Sequence, residues 1–290
     1  MLFEHTTDEP KGGIRSMLFV VLPAYNEAGA LPLLVANIEE TCKNLQHRII
    51  AVDDGSSDDT GEVLHSLKRE YVNFNFVQHE ENKGLGEALL SGFQTAIKSR
   101  DMYSDDPKSF RSNFFYEVGE VGTLPDIVVT MDADNTHPAE CIPALVAQIG
   151  EGADLVIASR YVSGAKQTGL AAFRRLLSWG AGAVMHVFFP INGVRDYSCG
   201  YRAYRLSILE KGLTLYGQNL IESRNFAGMV ELLLKITPFC RRIAEIPLDL
   251  HYERKQGLSK MKIFTTIWGY LYLIYRLKRK NWGSLEWAGE

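Results

Sequence analysis

The sequence has few cysteines, no surplus of basic charge and no long hydrophobic run, and each shortage removes a class of function. The four cysteines, Cys42, Cys141, Cys199 and Cys240, lie far apart with no Cys-x-x-Cys pair. That spacing argues against a zinc cluster or a disulfide framework and fits small buried side chains in a reducing compartment. The formal net charge is −4, where a dedicated nucleic-acid binder would carry a basic excess, so no nucleic-acid partner is expected. The longest apolar stretch near the end, Ile263 to Tyr275, holds 13 residues. A membrane-spanning helix needs about 20, so none is expected. Residues 1–16 are polar and charged, and the apolar run from Met17 meets Pro23 within a few residues; this predicts a disordered tail rather than a signal peptide. Internal repeats, low-complexity tracts, a Walker loop and a Gly-x-Gly-x-x-Gly motif are all missing.

What is present is a chain of 290 residues, 46% hydrophobic and 23% charged, enough for a substantial core in one large domain or two small ones. The charge is unevenly spread. Residues 240–290 hold ten Lys/Arg against five Asp/Glu, a net of +5, which leaves −9 on residues 1–239.

Up to about residue 165, short apolar runs alternate with amphipathic segments. Strands are expected at 17–25, 47–56, 73–80, 126–135 and 154–162, and helices at 30–45, 59–71 and 85–100. This rhythm predicts an α/β fold with a mostly parallel central sheet covered on both faces. Ligands of such sheets bind beyond the carboxyl ends of the strands, and the polar clusters fall there. The stretch 100–125 reads as a surface insertion, because loops of that length are uncommon in compact domains. Residues 165–195 read as a separate, largely apolar segment carrying Arg174, Arg175 and His186. Residues 263–290 read as an aromatic amphipathic helix with a basic tail.

The strongest chemical pair is Asp132 and Asp134 in MDADN. In an extended segment, residues two apart point the same way. Two converging carboxylates need a cation between them or a shared proton, and a hard divalent ion bound with substrate phosphates meets that need. The alternative is a capped turn before a helix near Pro138, with Asp134 or Asn135 as cap. Asp53 and Asp54 end a second strand, in VDDGSSDDT, where Ser56, Ser57 and Asp58 suit a helix cap. Either carboxylate suits a base, a ribose or the metal. Pro23, Tyr25, Asn26 and Glu27 close the first strand with an aromatic beside polar groups, which suits a nucleotide base or a simple turn. Lys83, Gly84 and Gly86 in ENKGLGEA offer a glycine-rich helix entry suited to an anion. Arg160 ends a further strand, and Asp196 lies in RDYSCGYRAYR. Arg254, Lys255, Ser259 and Lys260 form a basic loop, suited to pyrophosphate or to solvent. Glu231 lies on a helical pattern, either facing solvent or orienting another group.

Taken in order, PAYNE, VDDGSSDDT, NKGLGEA, MDADNTHP, ASRY, RDYSCGYRAYR, MVELLLK and RKQGLSK, spanning about Leu18 to Lys262, give the chain its resemblance to glycosyltransferase family 2. Within that family it is most similar to the dolichol-phosphate mannosyltransferase group. The resemblance implies a GT-A fold over 17–262 and inverting transfer of a hexose, mannose favoured, from a nucleotide diphosphate sugar to a polyprenyl phosphate. It implies Mg²⁺ or Mn²⁺ held by Asp132 and Asp134. By the same resemblance, Pro23, Tyr25, Glu27 and Asp53 surround the base, with Asp54 towards the ribose and phosphates and Lys83 nearby. Arg254, Ser259 and Lys260 close over the diphosphate, and Arg160, Arg174 and Ser178 face the acceptor phosphate. Asp134, Arg160 and Arg254 are thus the expected catalytic groups.

The implied partners are a nucleotide-sugar donor such as GDP-mannose, a polyprenyl phosphate and the cytoplasmic face of a membrane. There, residues 169–191 would lie in the interface, and Arg276, Lys278, Arg279 and Lys280 would meet headgroups. Two departures stand out. Asn135 and Thr136 replace the Leu-Gln common in the family before His137 and Pro138, and the 100–125 insertion is extra. A UDP-sugar donor with undecaprenyl phosphate, a non-lipid acceptor, or a non-catalytic nucleotide-sugar-binding membrane module remain as alternatives.

Overall fold

The computed structural model describes residues 16–104, 124–169, 172–254 and 263–279. Each apolar run read as a strand forms one. β1 (Leu18–Ala24), β2 (His47–Asp53), β3 (Phe74–Gln78), β4 (Ile127–Thr130) and β5 (Leu155–Ser159) alternate with α1 (Leu31–Cys42), α2 (Thr60–Glu70), α3 (Leu85–Ser104) and α4 (Ile142–Gly150). β6 (Lys166–Thr168), α5 (Ala172–Phe188), β7 (Arg202–Arg205), α6 (Leu206–Tyr216), α7 (Ala227–Ile236), β8 (Ile243–Pro247), β9 (Asp249–His251) and α8 (Ile263–Arg279) follow.

The main sheet has seven strands in the order β3-β2-β1-β4-β7-β5-β8, and β6 pairs with β9 in a small second sheet. All pairings in the main sheet are parallel except those of β7, which runs antiparallel to both β4 and β5. β1 is central and buried along nearly its whole length, as expected of a strand rich in Val and Leu with helices on both faces. It pairs with β2 as far as Ala24 but with β4 only to Val21, so the missing N–H of Pro23 costs no ladder bond on the β4 side.

β7 has no counterpart in the apolar pattern, because RAYR carries an arginine at each end. Arg202 is nevertheless fully buried. Its Nη1 donates to the Met229 carbonyl at 2.8 Å and its Nη2 to the Tyr197 carbonyl at 2.7 Å. Buried main-chain carbonyls thus carry the guanidinium, as burial of a polar group requires.

α8 explains its own docking. Tyr270, Leu273, Ile274 and Leu277 recur at helical spacing and are buried, while Trp268, Leu271, Tyr272 and Tyr275 face outward. α8 packs on α5 and α7. On α5, Phe173, Trp179, Val184, Val187 and Phe188 are also exposed. Among the described residues, no helix is long and apolar enough to cross a membrane.

Candidate functional site

The loops after β1 and β2 are stitched together by short polar side chains. Asn26 adopts a left-handed backbone (φ 54°), which asparagine tolerates better than most residues. Its N–H donates to Ser56 Oγ at 2.9 Å, and its side-chain carbonyl accepts from the Ser57 N–H at 2.8 Å. The Glu27 N–H donates to Thr60 Oγ1 at 2.9 Å. Asp53 is fully buried at the end of β2 and accepts from the Ser56 N–H at 2.9 Å and from Gln78 Nε2 at 3.0 Å. Tyr25 stands at the rim of this cluster, 37% exposed. Ser56 and Ser57 therefore fix the mouth of β1 rather than cap α2, whose N-cap Asp59 makes no side-chain cap; of the expected capping residues only Asp58 reaches that helix, its Oδ1 accepting from the Thr60 N–H at 3.1 Å.

Asp54 turns inward. Its Oδ1 accepts from the Lys83 N–H at 2.9 Å and bonds His79 Nδ1 at 2.8 Å, while its Oδ2 accepts from the Gly84 N–H at 2.8 Å. His79 Nε2 in turn meets Ser91 Oγ at 2.9 Å. The carboxylate thereby shapes the glycine turn that opens α3. Gly84 has φ +97°, and a Cβ there would stand 2.4 Å from the Arg224 carbonyl oxygen, so the position demands glycine. Arg224 completes the brace, its Nε donating to the Lys83 carbonyl at 3.0 Å and its Nη2 to the Asn82 carbonyl at 2.8 Å. No local motif marks Arg224, because its partners lie about 140 residues away.

The extended geometry expected for Asp132 and Asp134 is corrected by the structure. β4 stops at Thr130, and the two aspartates lie in a turn in which Asn135 has φ 59°. Asp134 is buried, and its Oδ1 accepts from Thr136 N–H at 3.1 Å and from Thr136 Oγ1 at 2.7 Å. It therefore shapes its own turn and does not cap the helix near Pro138. The Asp132 N–H donates to His137 Nδ1 at 3.2 Å, and the His137 ring stacks on Tyr201. Asp132 is partly exposed beside Gly200, where a Cβ would come within 3.3 Å of Asp132 Oδ1. Among the described residues, no group of three or more His, Cys, Asp or Glu gathers to cage a metal. Two carboxylates on one turn, with Asp132 partly exposed and approached closely by the bare backbone of Gly200, do fit a hard cation that takes its remaining oxygens from a substrate phosphate. β9 runs alongside, with the His251 N–H donating to the Thr136 carbonyl at 3.1 Å. This brings the 3₁₀ turn Tyr252–Arg254 close to the aspartates. The Arg254 side chain and Lys255, Ser259 and Lys260 lie outside the described residues.

Arg160, just past β5, forms a fork with the fully buried Asp196. Nε donates to Asp196 Oδ2 at 2.8 Å and Nη2 to Asp196 Oδ1 at 2.7 Å, with Nη2 also reaching Ser198 Oγ at 2.7 Å. Burial alone would raise the Asp196 carboxyl, but the Arg160 guanidinium reverses this and holds it below its ordinary value. Asp196 also accepts from the Ser198 and Cys199 N–H groups. Glu245 on β8 supports the same loop from behind, accepting from the Arg195 and Asp196 N–H groups, and burial pushes its carboxyl up. Tyr161, beside Arg160, donates to Ser178 Oγ at 3.0 Å, which ties the end of β5 to α5. The Arg174 side chain lies outside the described residues.

Glu231 is fully buried on α7 and anchors an ionic cluster. It accepts from the Glu222 and Ser223 N–H groups, pairs with Lys235 Nζ at 2.6 Å and contacts Arg276. Burial would raise its carboxyl, and Lys235 and Arg276 pull it below its ordinary value. Arg276 also reaches Glu222 at 3.1 Å. The expectation that Arg276 meets lipid headgroups is therefore corrected: its guanidinium is spent inside, pinning α8 to α7. Lys278 sits over the Phe188 ring, and Arg279 faces outward; Lys280 lies outside the described residues.

The Glycosyl transferase family 2 profile matches residues 19–98 and 123–213. The dolichol-phosphate mannosyltransferase of Pyrococcus furiosus is 32% identical over 272 residues, covering 93% of this chain and 64% of that protein. The polyprenol monophosphomannose synthase of Mycolicibacterium smegmatis is 32% identical over 243 residues, covering 83% of this chain and 80% of that one. Among solved structures, glucosyl-3-phosphoglycerate synthase from Mycobacterium tuberculosis, with Mn²⁺ and UDP bound, superposes with a TM-score of 0.59. It is 21% identical, and the match covers 91% of this chain and 80% of that one. The mostly parallel sheet broken by one antiparallel strand is thus the GT-A fold, and the profile covers the turns that carry Asp53, Asp54, Asp132, Asp134 and Arg160. With that match over more than half its length, the chain belongs to glycosyltransferase family 2 and is a glycosyltransferase.

Proposed function

We propose that this enzyme moves a hexose, mannose favoured, from a nucleoside diphosphate sugar such as GDP-mannose to a polyprenyl phosphate at a membrane surface, with inversion at the anomeric carbon. The observation that carries this reading is the continuity between the polar site and an apolar face. Arg160 and Tyr161 leave β5 beside Ser178 on α5, and α5 and α8 present Phe173, Trp179, Trp268, Tyr272 and Tyr275 to the outside. A phosphate at Arg160 with its hydrocarbon tail along α5 and α8 would satisfy both surfaces. Exposed Arg175, Lys278 and Arg279 suit anionic headgroups. The two relatives named as mannose-transferring enzymes favour mannose.

The chain's own groups divide the work. Tyr25 at the rim suits stacking on the base, with Pro23 and Glu27 beside it and Asp53 holding the loop that frames it. Asp54 fixes the Lys83–Gly84 turn, whose helix entry favours an anion. Asp132 and Asp134 would hold Mg²⁺ or Mn²⁺, which when bound neutralises negative charge developing on the departing diphosphate. Arg254, Ser259 and Lys260 would add positive charge and donors from the other side. A phosphate monoester is already anionic at neutral pH, so the acceptor oxygen attacks without a strong general base. Arg160 and Arg174 orient it with Ser178, aligning it for attack opposite the leaving group.

The test is incubation with radiolabelled GDP-mannose or UDP-glucose, polyprenyl phosphate and Mg²⁺ or Mn²⁺, scored as label in the organic phase. GDP-mannose should give organic-phase label that requires both lipid and metal. Label from UDP-glucose alone would transfer the proposal to the other donor. Nucleotide binding without turnover of either donor would revive a non-catalytic role.

A further inference from the structure

The loop before α7 meets the entry of α3 backbone to backbone. The Leu85 N–H donates to the Arg224 carbonyl at 2.9 Å. Two residues after Gly84, a Cβ at Gly86 would stand 2.5 Å from the Ser223 carbonyl oxygen, so only a bare backbone fits there. The loop is itself fixed from the inside. The buried Glu231 carboxylate accepts from the Glu222 and Ser223 N–H groups at 3.2 and 2.9 Å, which ties it to α7. From this anchored loop Arg224 reaches back to the α3 turn, Nε to the Lys83 carbonyl at 3.0 Å and Nη2 to the Asn82 carbonyl at 2.8 Å. A planar guanidinium presents its N–H groups in a rigid fork, so it holds two successive carbonyls in one orientation. Asp54 takes the Lys83 and Gly84 N–H groups. The main chain of the turn is thus gripped by Asp54 through its N–H groups and by Arg224 through its carbonyls, while the Lys83 side chain stays exposed. Both Arg224 bonds are solvent-exposed, where water can replace them at small cost in stability. What they set is the direction in which Lys83 leaves the turn.

We infer that Arg224 is a positioning residue for the donor: by clamping the Asn82 and Lys83 carbonyls it aims the Lys83 ammonium at the nucleoside diphosphate. The inference rests on the reading that the Lys83–Gly84 turn lines the donor site. Arg224 acts through Lys83, from a loop about 140 residues further along the chain.

The experiment is steady-state transfer by the full chain, with donor and polyprenyl phosphate varied separately, for Arg224→Ala, Arg224→Lys, Lys83→Ala and the double variant Arg224→Ala with Lys83→Ala. Arg224→Ala should raise the donor KM about three- to tenfold, the scale of a lost hydrogen bond. The acceptor KM should stay within twofold. Arg224→Lys keeps the charge and gives up the fork, so its donor KM should rise as well. The double variant should be no worse than Lys83→Ala, because the two residues act in series. A parent-like donor KM in Arg224→Ala would overturn the inference, even with a lowered melting temperature, since that marks a purely structural brace. A parent-like donor KM in Arg224→Lys alone marks a charge effect and overturns it too. So do additive losses, or equal changes in donor and acceptor KM, which mark a general loosening. Lys83→Ala separates the underlying reading. An unchanged donor KM there removes the turn from the donor site and the inference with it, whereas a raised donor KM there beside a parent-like Arg224→Ala overturns the inference alone.

Discussion

The two sides of the sheet hold their carboxylates in different ways. On the β1–β2–β3 side, Asp53 and Asp54 are stabilised by amide groups and one imidazole, from Ser56, Gln78, His79, Lys83 and Gly84. On the β5–β7–β8 side and its helices, Asp196 and Glu231 are stabilised by Arg160, Lys235 and Arg276. Amides hold a loop in shape without cancelling its charge, which leaves an acidic mouth suited to a cation and a nucleotide. The Glu231–Lys235–Arg276 pairs neutralise one another, which lets α8, with its aromatic outer face, pack over buried charge.

The most forceful way to break this division is Asp134→Ala. Turnover should fall about 10²- to 10³-fold, the scale of a lost electrostatic contact in the transition state, with a smaller loss of stability because the Thr136 N–H and hydroxyl lose their acceptor. Full activity with Mg²⁺ or Mn²⁺ present would end the metal assignment. Next comes Glu231→Ala, which strands Lys235 and Arg276 in the interior. A loss of about 3 kcal/mol is expected, read by denaturant unfolding, with the donor Kd unchanged in folded protein. A third variant, Asp54→Asn, should raise the donor KM about tenfold by loosening the Lys83–Gly84 turn; an equal rise in acceptor KM would blur the two sides.

Acidification sharpens the same comparison. Glu231 is more acidic in the folded chain than its ordinary 4.5, so its contribution is complete above that pH. It disappears as pH falls through the lower folded value. Melting temperature should therefore drop below about pH 4.5, and the drop should be shallower in Glu231→Gln. A further effect is expected at the surface. Lys278→Gln with Arg279→Gln should weaken flotation with anionic liposomes by roughly 1 kcal/mol per charge, whereas Arg276→Gln should lower stability and leave flotation largely intact.

What could be read from the sequence tracks how local each cause is. The strands β1 to β5 were visible as apolar runs, and the pair Asp132 and Asp134 as a motif, because both depend on neighbouring residues. β7 escaped because its burial depends on carbonyls of Tyr197 and Met229, which no pattern of period two reveals. Arg224 escaped for the same reason. Glu231 reads as facing solvent or orienting another group and Arg276 as meeting headgroups, and only the meeting of α7 and α8 brings the two into one buried ion cluster. The alternation argument for the aspartates failed because Asn135 and Thr136 fold the segment into a turn right after Thr130.

The most direct test titrates polyprenyl phosphate against the parent chain at fixed labelled GDP-mannose, reading organic-phase label. Saturable lipid-dependent label, abolished by Asp134→Ala and shifted to higher lipid concentration by Arg160→Lys, is the predicted result. Label that stays in the aqueous phase on a water-soluble acceptor at every lipid concentration would contradict it.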